Sequence, residues 1–180
     1  MSTCANPLPR TTLILGGARS GKSAYAMQLA RTAGPHPVYI ATAIAGDREM
    51  ATRIAAHRAP RSNAWTTIEE PLGLADALAT HSEACTPVVI DCLTLWLSNI
   101  MATEHDPEVE TTRLLDTLRE APGPVFMVAN EVGLGIVPDN KLARDFRDAH
   151  GKLNQEIAAA AVRVVFLAAG LPMIMKDLAA

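Results

Sequence analysis

Three groups of residues have types and spacing that could carry out chemistry on a phosphate. In "GGARSGKS", Gly16, four further residues, Gly21, Lys22 and Ser23 match the pattern G-x-x-x-x-G-K-[ST]. Glycines let several backbone N–H groups converge on phosphate oxygens, and a helix that starts where the loop ends adds partial positive charge. On this reading Gly16, Gly17, Ala18, Arg19, Ser20 and Gly21 cradle a nucleoside triphosphate, Lys22 reaches its β- and γ-phosphates, and Ser23 holds Mg2+. The alternative is a glycine-rich turn with a chance lysine. The match lies between an apolar strand and a helical pattern, the context that a phosphate loop requires. The second group is the carboxylate that completes a magnesium site at the end of a neighbouring strand, and Asp91 closes "PVVID" in that position. Asp91 could instead cap the following "CLTLWLSN" helix.

The third group lies in residues 41–65. From Asp47 a helical pattern places Met50, Ile54 and His57 on one side, with Arg53 four residues before His57 and Arg58 and Arg61 just beyond it. An imidazole with a pKa of about 6.5 is largely neutral and nucleophilic at pH 7. It could attack phosphorus while the guanidiniums neutralise a polyphosphate. A solvated helix-end histidine is the commoner use of such a pattern. The guanine-reading N-K-x-D box is missing: "NKLA" at 140–143 has Ala143 where aspartate must stand, which disfavours a switch-type GTPase.

These groups need elements to position them. Short apolar runs alternate with helical patterns, which predicts strands near 11–16, 37–41, 65–69, 87–91, 124–129 and 162–168, and helices near 22–32, 47–58, 71–80, 93–101, 107–120 and 140–160. "PMIMK" is expected to add an antiparallel C-terminal edge strand. "PVVID" and "PVFMVAN" are apolar on consecutive positions, as strands covered on both faces must be. The fold class expected is α/β: a single P-loop NTPase (RecA-like) domain over residues 1–180, with a mainly parallel sheet, helices on both faces and a flexible N-terminus over 1–10. Ligands in such folds sit beyond the carboxyl ends of the strands.

Composition narrows the partners. A chain of 180 residues that is 49% hydrophobic and 19% charged suits one domain with a substantial core. Its net charge of -3 argues against a nucleic-acid backbone as main partner and leaves a small molecule as the expected ligand. No run is long enough for a membrane span and no secretory signal is evident, so the expected localisation is cytoplasmic. Cys4, Cys85 and Cys92 show no C-x-x-C spacing, which argues against a disulfide framework or a zinc site. Cys85 and Cys92 are expected as small core residues, as are Trp65 and Trp96.

"NEVGLGIVPDN" could be any irregular loop, with Gly133, Gly135 and Pro138, although it leaves the sheet on the expected ligand side and offers Asn130 and Glu131 as polar contacts. Downstream, Leu142, Phe146, Leu153 and Ile157 are available for helix packing, and His150 is expected to be structural or at the surface.

Taken together, "GGARSGKS", "YIATA", "EMATRIAAHR", "DCLTLWLSNI" and "NEVGLGIVPDNKLARDFRDAHGKLNQEIAAAA" resemble the bifunctional adenosylcobinamide kinase / adenosylcobinamide-phosphate guanylyltransferase family of cobalamin biosynthesis, from about residue 12 to 176. The resemblance implies two reactions: phosphorylation of the aminopropanol hydroxyl of adenosylcobinamide by ATP or GTP, then transfer of GMP from GTP to that phosphate through a GMP-histidine. It implies that His57, followed by Arg58, is the nucleophile; many members carry a His-His pair where this chain has Ala56 and His57. It further implies nucleotide contacts from Ala41, Thr42 and Ala43, from Arg58, Ala59, Pro60 and Arg61, from Glu69, and from Asp91, where members often have glutamate. Glu69 by itself could equally be a solvated strand-end acid. A homo-oligomer, and a trimer in particular, is the expected assembly. The alternatives are a P-loop small-molecule kinase without guanylyl transfer, or a nucleotide-dependent regulatory protein.

Overall fold

The computed structural model describes residues 10–46, 48, 52 and 64–178. Seven strands form one sheet: β1 (Thr11–Gly16), β2 (Val38–Ala41), β3 (Thr66–Glu69), β4 (Val88–Asp91), β5 (Val125–Val128), β6 (Arg163–Ala168) and β7 (Leu171–Asp177). Their order is β3-β2-β4-β5-β1-β6-β7. All neighbours are parallel except β6 and β7, so the expected antiparallel edge strand is present. A two-residue turn joins them, with positive φ at both Ala169 (52°) and Gly170 (81°), the backbone that suits the twist of a tight hairpin.

Five helices are described: α1 (Lys22–Ala33), α2 (Leu74–His81), α3 (Leu93–Met101), α4 (Pro107–Glu120) and α5 (Lys141–Ala160). The expected helix at 47–58 falls almost wholly outside the described residues. Local chemistry sets several boundaries. Pro107 opens α4 behind Asp106, whose side chain accepts from the Glu108 N–H. Asn140 caps α5 by accepting from the Ala143 N–H. The expected start at 71 gives way to Leu74, because the Glu70 carboxylate accepts from the Leu72 and Gly73 N–H groups and holds that turn outside the helix.

The two-residue period of the strands divides the core into two layers. Leu13, Ile40, Ile90, Val125, Met127 and Val164 face α2, α3, α4 and α5, and pack on Leu78, Trp96, Leu114 and Ile157. Their alternates Ile14, Tyr39, Val89, Phe126 and Val165 face Ala26, Met27 and Ala30 of α1 together with Trp65. Burial of each large aliphatic side chain contributes about 1.5–3 kcal/mol. Ion pairs such as Arg113–Asp76 stand in solvent that screens them, so the apolar layers dominate the stability.

Trp65 and Trp96 are buried as expected, and so is Cys92. Two expectations are corrected. Cys85 is exposed, because the 82–87 connection runs over the surface. Leu142 stands in the first turn of α5, which projects past the core, and is left 74% exposed. No helix among the described residues is long and apolar enough to cross a membrane.

Candidate functional site

The parallel strands end along one edge, and the expected site residues collect there. β1 runs into the glycine loop and α1 leaves it, as the motif requires. Gly16 has φ of +150° and lies so close to β6 that a Cβ would stand 2.3 Å from the Leu167 carbonyl oxygen. Gly21, at the head of α1, has φ of +98°. Both positions therefore need glycine. Arg19 also takes a positive φ, of 56°.

The loop is braced on both flanks. The Gly16 carbonyl accepts from the Glu131 N–H at 3.1 Å, and the Ser20 carbonyl accepts from the Gly170 N–H at 3.0 Å. The β6–β7 turn thus supports the phosphate loop, a contact between residues 150 apart in the chain that no local pattern announces. Gly17, Ala18 and Arg19 are exposed, Ser23 is half-buried and Lys22 is buried. Lys22 donates to the Gly17 carbonyl at 2.6 Å. Burial pushes its pKa below 10.5, against the opposing pull of Cys92 and Asp91. An ammonium so placed faces the loop's own interior, where phosphate oxygens would replace the carbonyl as acceptor.

Asp91 closes β4, with Ala41 beside it on β2 and Val128 beside it on β5. The Tyr39 hydroxyl donates to Asp91 Oδ2 at 2.6 Å and fixes the carboxylate, an orienting contact that sequence reasoning missed because 52 residues separate the partners. Among the described residues no three His, Cys, Asp or Glu side chains cluster as a metal cage. One carboxylate and one hydroxyl fit Mg2+, which takes few protein ligands and completes its shell with water and substrate phosphates.

The 41–43 segment continues β2 at the same edge. Thr42 is fully buried, and its side chain serves the fold: the hydroxyl donates to the Cys92 carbonyl and accepts from the Cys92 N–H, both at 2.8 Å. The Thr42 carbonyl accepts from Asn99 Nδ2 at 2.8 Å. Ala41 and Ala43 are half-buried. Glu69 ends edge strand β3 in register with Ala41, four places along the sheet from β1, and is exposed. His57, Arg58, Ala59, Pro60 and Arg61 lie outside the described residues. The segment that contains them leaves β2 at the carboxyl edge, between Ala41 and Thr66.

Beside the loop lies a buried polar cluster. Thr94 Oγ1 accepts from the Asn130 N–H at 2.8 Å and is 2.9 Å from His150 Nε2. Asn154 Nδ2 donates to the Asn130 carbonyl at 3.2 Å and lies 3.3 Å from His150 Nδ1. His150 is fully buried, which bears out the structural reading, and burial lowers its pKa below 6.5 against the opposing effect of Glu131. Thr94 and Asn154 were not singled out from the sequence; a buried threonine in "CLTLWL" carries no local signal of its partners.

A family model described as cobinamide kinase / cobinamide phosphate guanyltransferase matches residues 12–175. The chain is 50% identical over 166 residues to the bifunctional adenosylcobalamin biosynthesis protein CobP of Pseudomonas aeruginosa, covering 91% of this chain and 96% of that protein. It is 37% identical over 179 residues to the bifunctional adenosylcobalamin biosynthesis protein CobU of Salmonella typhimurium, covering 91% and 98%. Among solved structures, the flagellar accessory protein FlaH of Methanocaldococcus jannaschii aligns with a TM-score of 0.55 at 14% identity, over 97% of this chain and 82% of that one. An ATPase from the type III secretion system of pathogenic bacteria aligns with a TM-score of 0.55 at 12% identity, over 94% and 57%. At these identities the structural likenesses speak for a shared P-loop NTPase fold.

Proposed function

The chain belongs to the cobinamide kinase / cobinamide phosphate guanyltransferase family, and from that premise we propose that it phosphorylates adenosylcobinamide with ATP or GTP and then transfers GMP from GTP to the product. The observation that carries this reading is the convergence of the glycine loop, buried Lys22, Ser23 and Tyr39-oriented Asp91 on one sheet edge.

In the kinase step the substrate hydroxyl oxygen forms a bond to the γ-phosphorus, the bond to the β-phosphate's bridging oxygen breaks, and the hydroxyl proton is released. Such transfer depends on alignment and charge neutralisation more than on covalent help from the protein. The loop amides hold the phosphates, and Lys22 neutralises charge as it builds on the departing diphosphate. Ser23 and Asp91 would hold Mg2+, which draws charge from the phosphate oxygens when bound.

In the second reaction an imidazole nitrogen of His57 attacks the α-phosphorus of GTP, and pyrophosphate leaves. A phosphate oxygen of adenosylcobinamide phosphate then attacks the same phosphorus and breaks the P–N bond, giving adenosylcobinamide-GDP. Covalent catalysis divides one hard transfer into two easier ones. Arg58 and Arg61 neutralise the polyphosphate, with Ala59 and Pro60 carrying the chain between them, while Ala41, Thr42, Ala43 and Glu69 contribute to the nucleotide pocket from β2 and β3. The protein works in the cytoplasm as a homo-oligomer, which we read as a trimer. The exposed apolar residues of β7, with Met173 52% and Ile174 63% exposed, support an assembly through that edge.

Incubation with α-labelled GTP tests the reading. Label should remain on the protein in acid-labile form, and His57→Ala should remove it. A wild-type protein that phosphorylates adenosylcobinamide yet never takes up label would be a kinase alone, and label retained by the variant would place the nucleophile elsewhere.

A further inference from the structure

The cluster of Thr94, His150 and Asn154 lies outside the groups that contact phosphate, yet it is built at the same edge. Thr94 is on the first turn of α3, three residues after Asp91; His150 and Asn154 are one turn apart on α5. Between them they hold both sides of Asn130, the N–H through Thr94 and the carbonyl through Asn154. The next residue, Glu131, donates its N–H to Gly16, and its carboxylate accepts from the Gly133 N–H at 2.6 Å. The chain of contacts from α5 to the phosphate loop is thus continuous: His150, Thr94, the Asn130 backbone, Glu131, Gly16.

The donors and acceptors fix a single proton arrangement. Asn154 Nδ2 can only donate, so His150 Nδ1 must accept, and the ring proton sits on Nε2, pointing at Thr94 Oγ1. Thr94 Oγ1 accepts from that N–H and from the Asn130 N–H. All three side chains are buried, Thr94 at 7% exposure, Asn154 at 6% and His150 at 0%. In so dry a setting a missing partner is costly, so the arrangement acts as a unit.

We propose that Thr94, Asn154 and His150 are positioning residues for the transfer reactions: they clamp the Asn130–Glu131 backbone so that the end of β5 holds the phosphate loop in its working geometry. The role rests on the nucleotide-transfer reading of the loop. None of the three needs to touch substrate; their contribution is the register between β5 and Gly16.

Thr94→Val and Thr94→Ser separate this role from plain packing. Valine keeps the shape and removes the hydroxyl, whereas serine keeps the hydroxyl. Amide hydrogen exchange in the nucleotide-free protein should accelerate at Asn130 and Glu131 in Thr94→Val, by about tenfold or more, and stay near wild type in Thr94→Ser. The kinase kcat should fall about 10- to 100-fold in Thr94→Val with the nucleotide KM changed less than about threefold, since misplacement by a fraction of an ångström acts on the transition state. Thr94→Ser should recover both. A folded Thr94→Val with wild-type exchange, or with wild-type kcat, overturns the proposal, and so does a serine variant as impaired as valine. Should Thr94→Val not fold, Asn154→Leu, of similar volume and without donors, is judged by the same two measurements. A wild-type protein without transferase activity would refute the functional reading instead, and the exchange data would still decide whether the clamp exists.

Discussion

At the residue scale, burial sets the protonation of side chains around the candidate site. His150 illustrates the sign of the effect. Its folded-state pKa lies below 6.5 because desolvation disfavours the imidazolium, with Glu131 opposing. As pH falls below about 6.5 the unfolded chain takes up a proton that the folded chain refuses, so stability drops through that window and is independent of this group above it. A protonated ring would also turn a new N–H toward the Asn154 amide. The wild-type Tm should therefore decline between pH of about 7.5 and 5.5 by more than that of His150→Gln, as followed by circular dichroism. Equal declines would assign the acid sensitivity to other groups. His150 itself was legible as a structural residue, whereas its partners were not: Thr94 and Asn154 stand 56 and 4 positions away, and only the packing of α5 on α3 brings all three together.

At the scale of elements, the unit that matters is β1, its loop and α1. The G-x-x-x-x-G-K-[ST] spacing made this unit readable because its signature residues answer local demands: Gly16 and Gly21 for positive φ, Lys22 for charge, Ser23 at the helix start. The structure adds that the two leading glycines differ. Gly16 is pressed against Leu167 and has φ of +150°, while a Cβ on Gly17 would meet nothing within 4 Å. Gly16→Ala should cost about 2 kcal/mol or more in a denaturant titration and abolish nucleotide binding. Gly17→Ala should stay within about 0.5 kcal/mol of wild type. Equal effects would mean that the contact with β6 does not constrain the loop. The strands were placed to within a residue, since their apolar runs are bounded by Gly, Pro and Asp, but the start of α2 moved from 71 to 74. Glu70 competes for the first N–H groups there, and a single glutamate gives no warning of it.

At the scale of the molecule, the edge strand β7 couples two surfaces. It leaves Leu171, Met173, Ile174 and Met175 more than half exposed, and it is joined to β6 by the turn whose Gly170 N–H supports Ser20 of the phosphate loop. An edge strand so apolar is one that soluble proteins normally cover. If a second copy covers it, Met173→Lys combined with Ile174→Glu should reduce the particle to monomer mass in light scattering coupled to size exclusion. A wild-type protein that already runs as a monomer would remove β7 from consideration as an interface. The amino-acid sequence by itself determined the α/β class, the phosphate loop and the acid at the end of β4, because short consecutive apolar runs and glycine spacing are constraints within a few residues. It also carried the family resemblance. Only the tertiary structure decided the strand order, the Tyr39–Asp91 contact, the brace from the β6–β7 turn and the Thr94–His150–Asn154 clamp. Each of these joins residues distant in the chain, and which distant groups meet is set by how the helices pack on the sheet rather than by any local spacing.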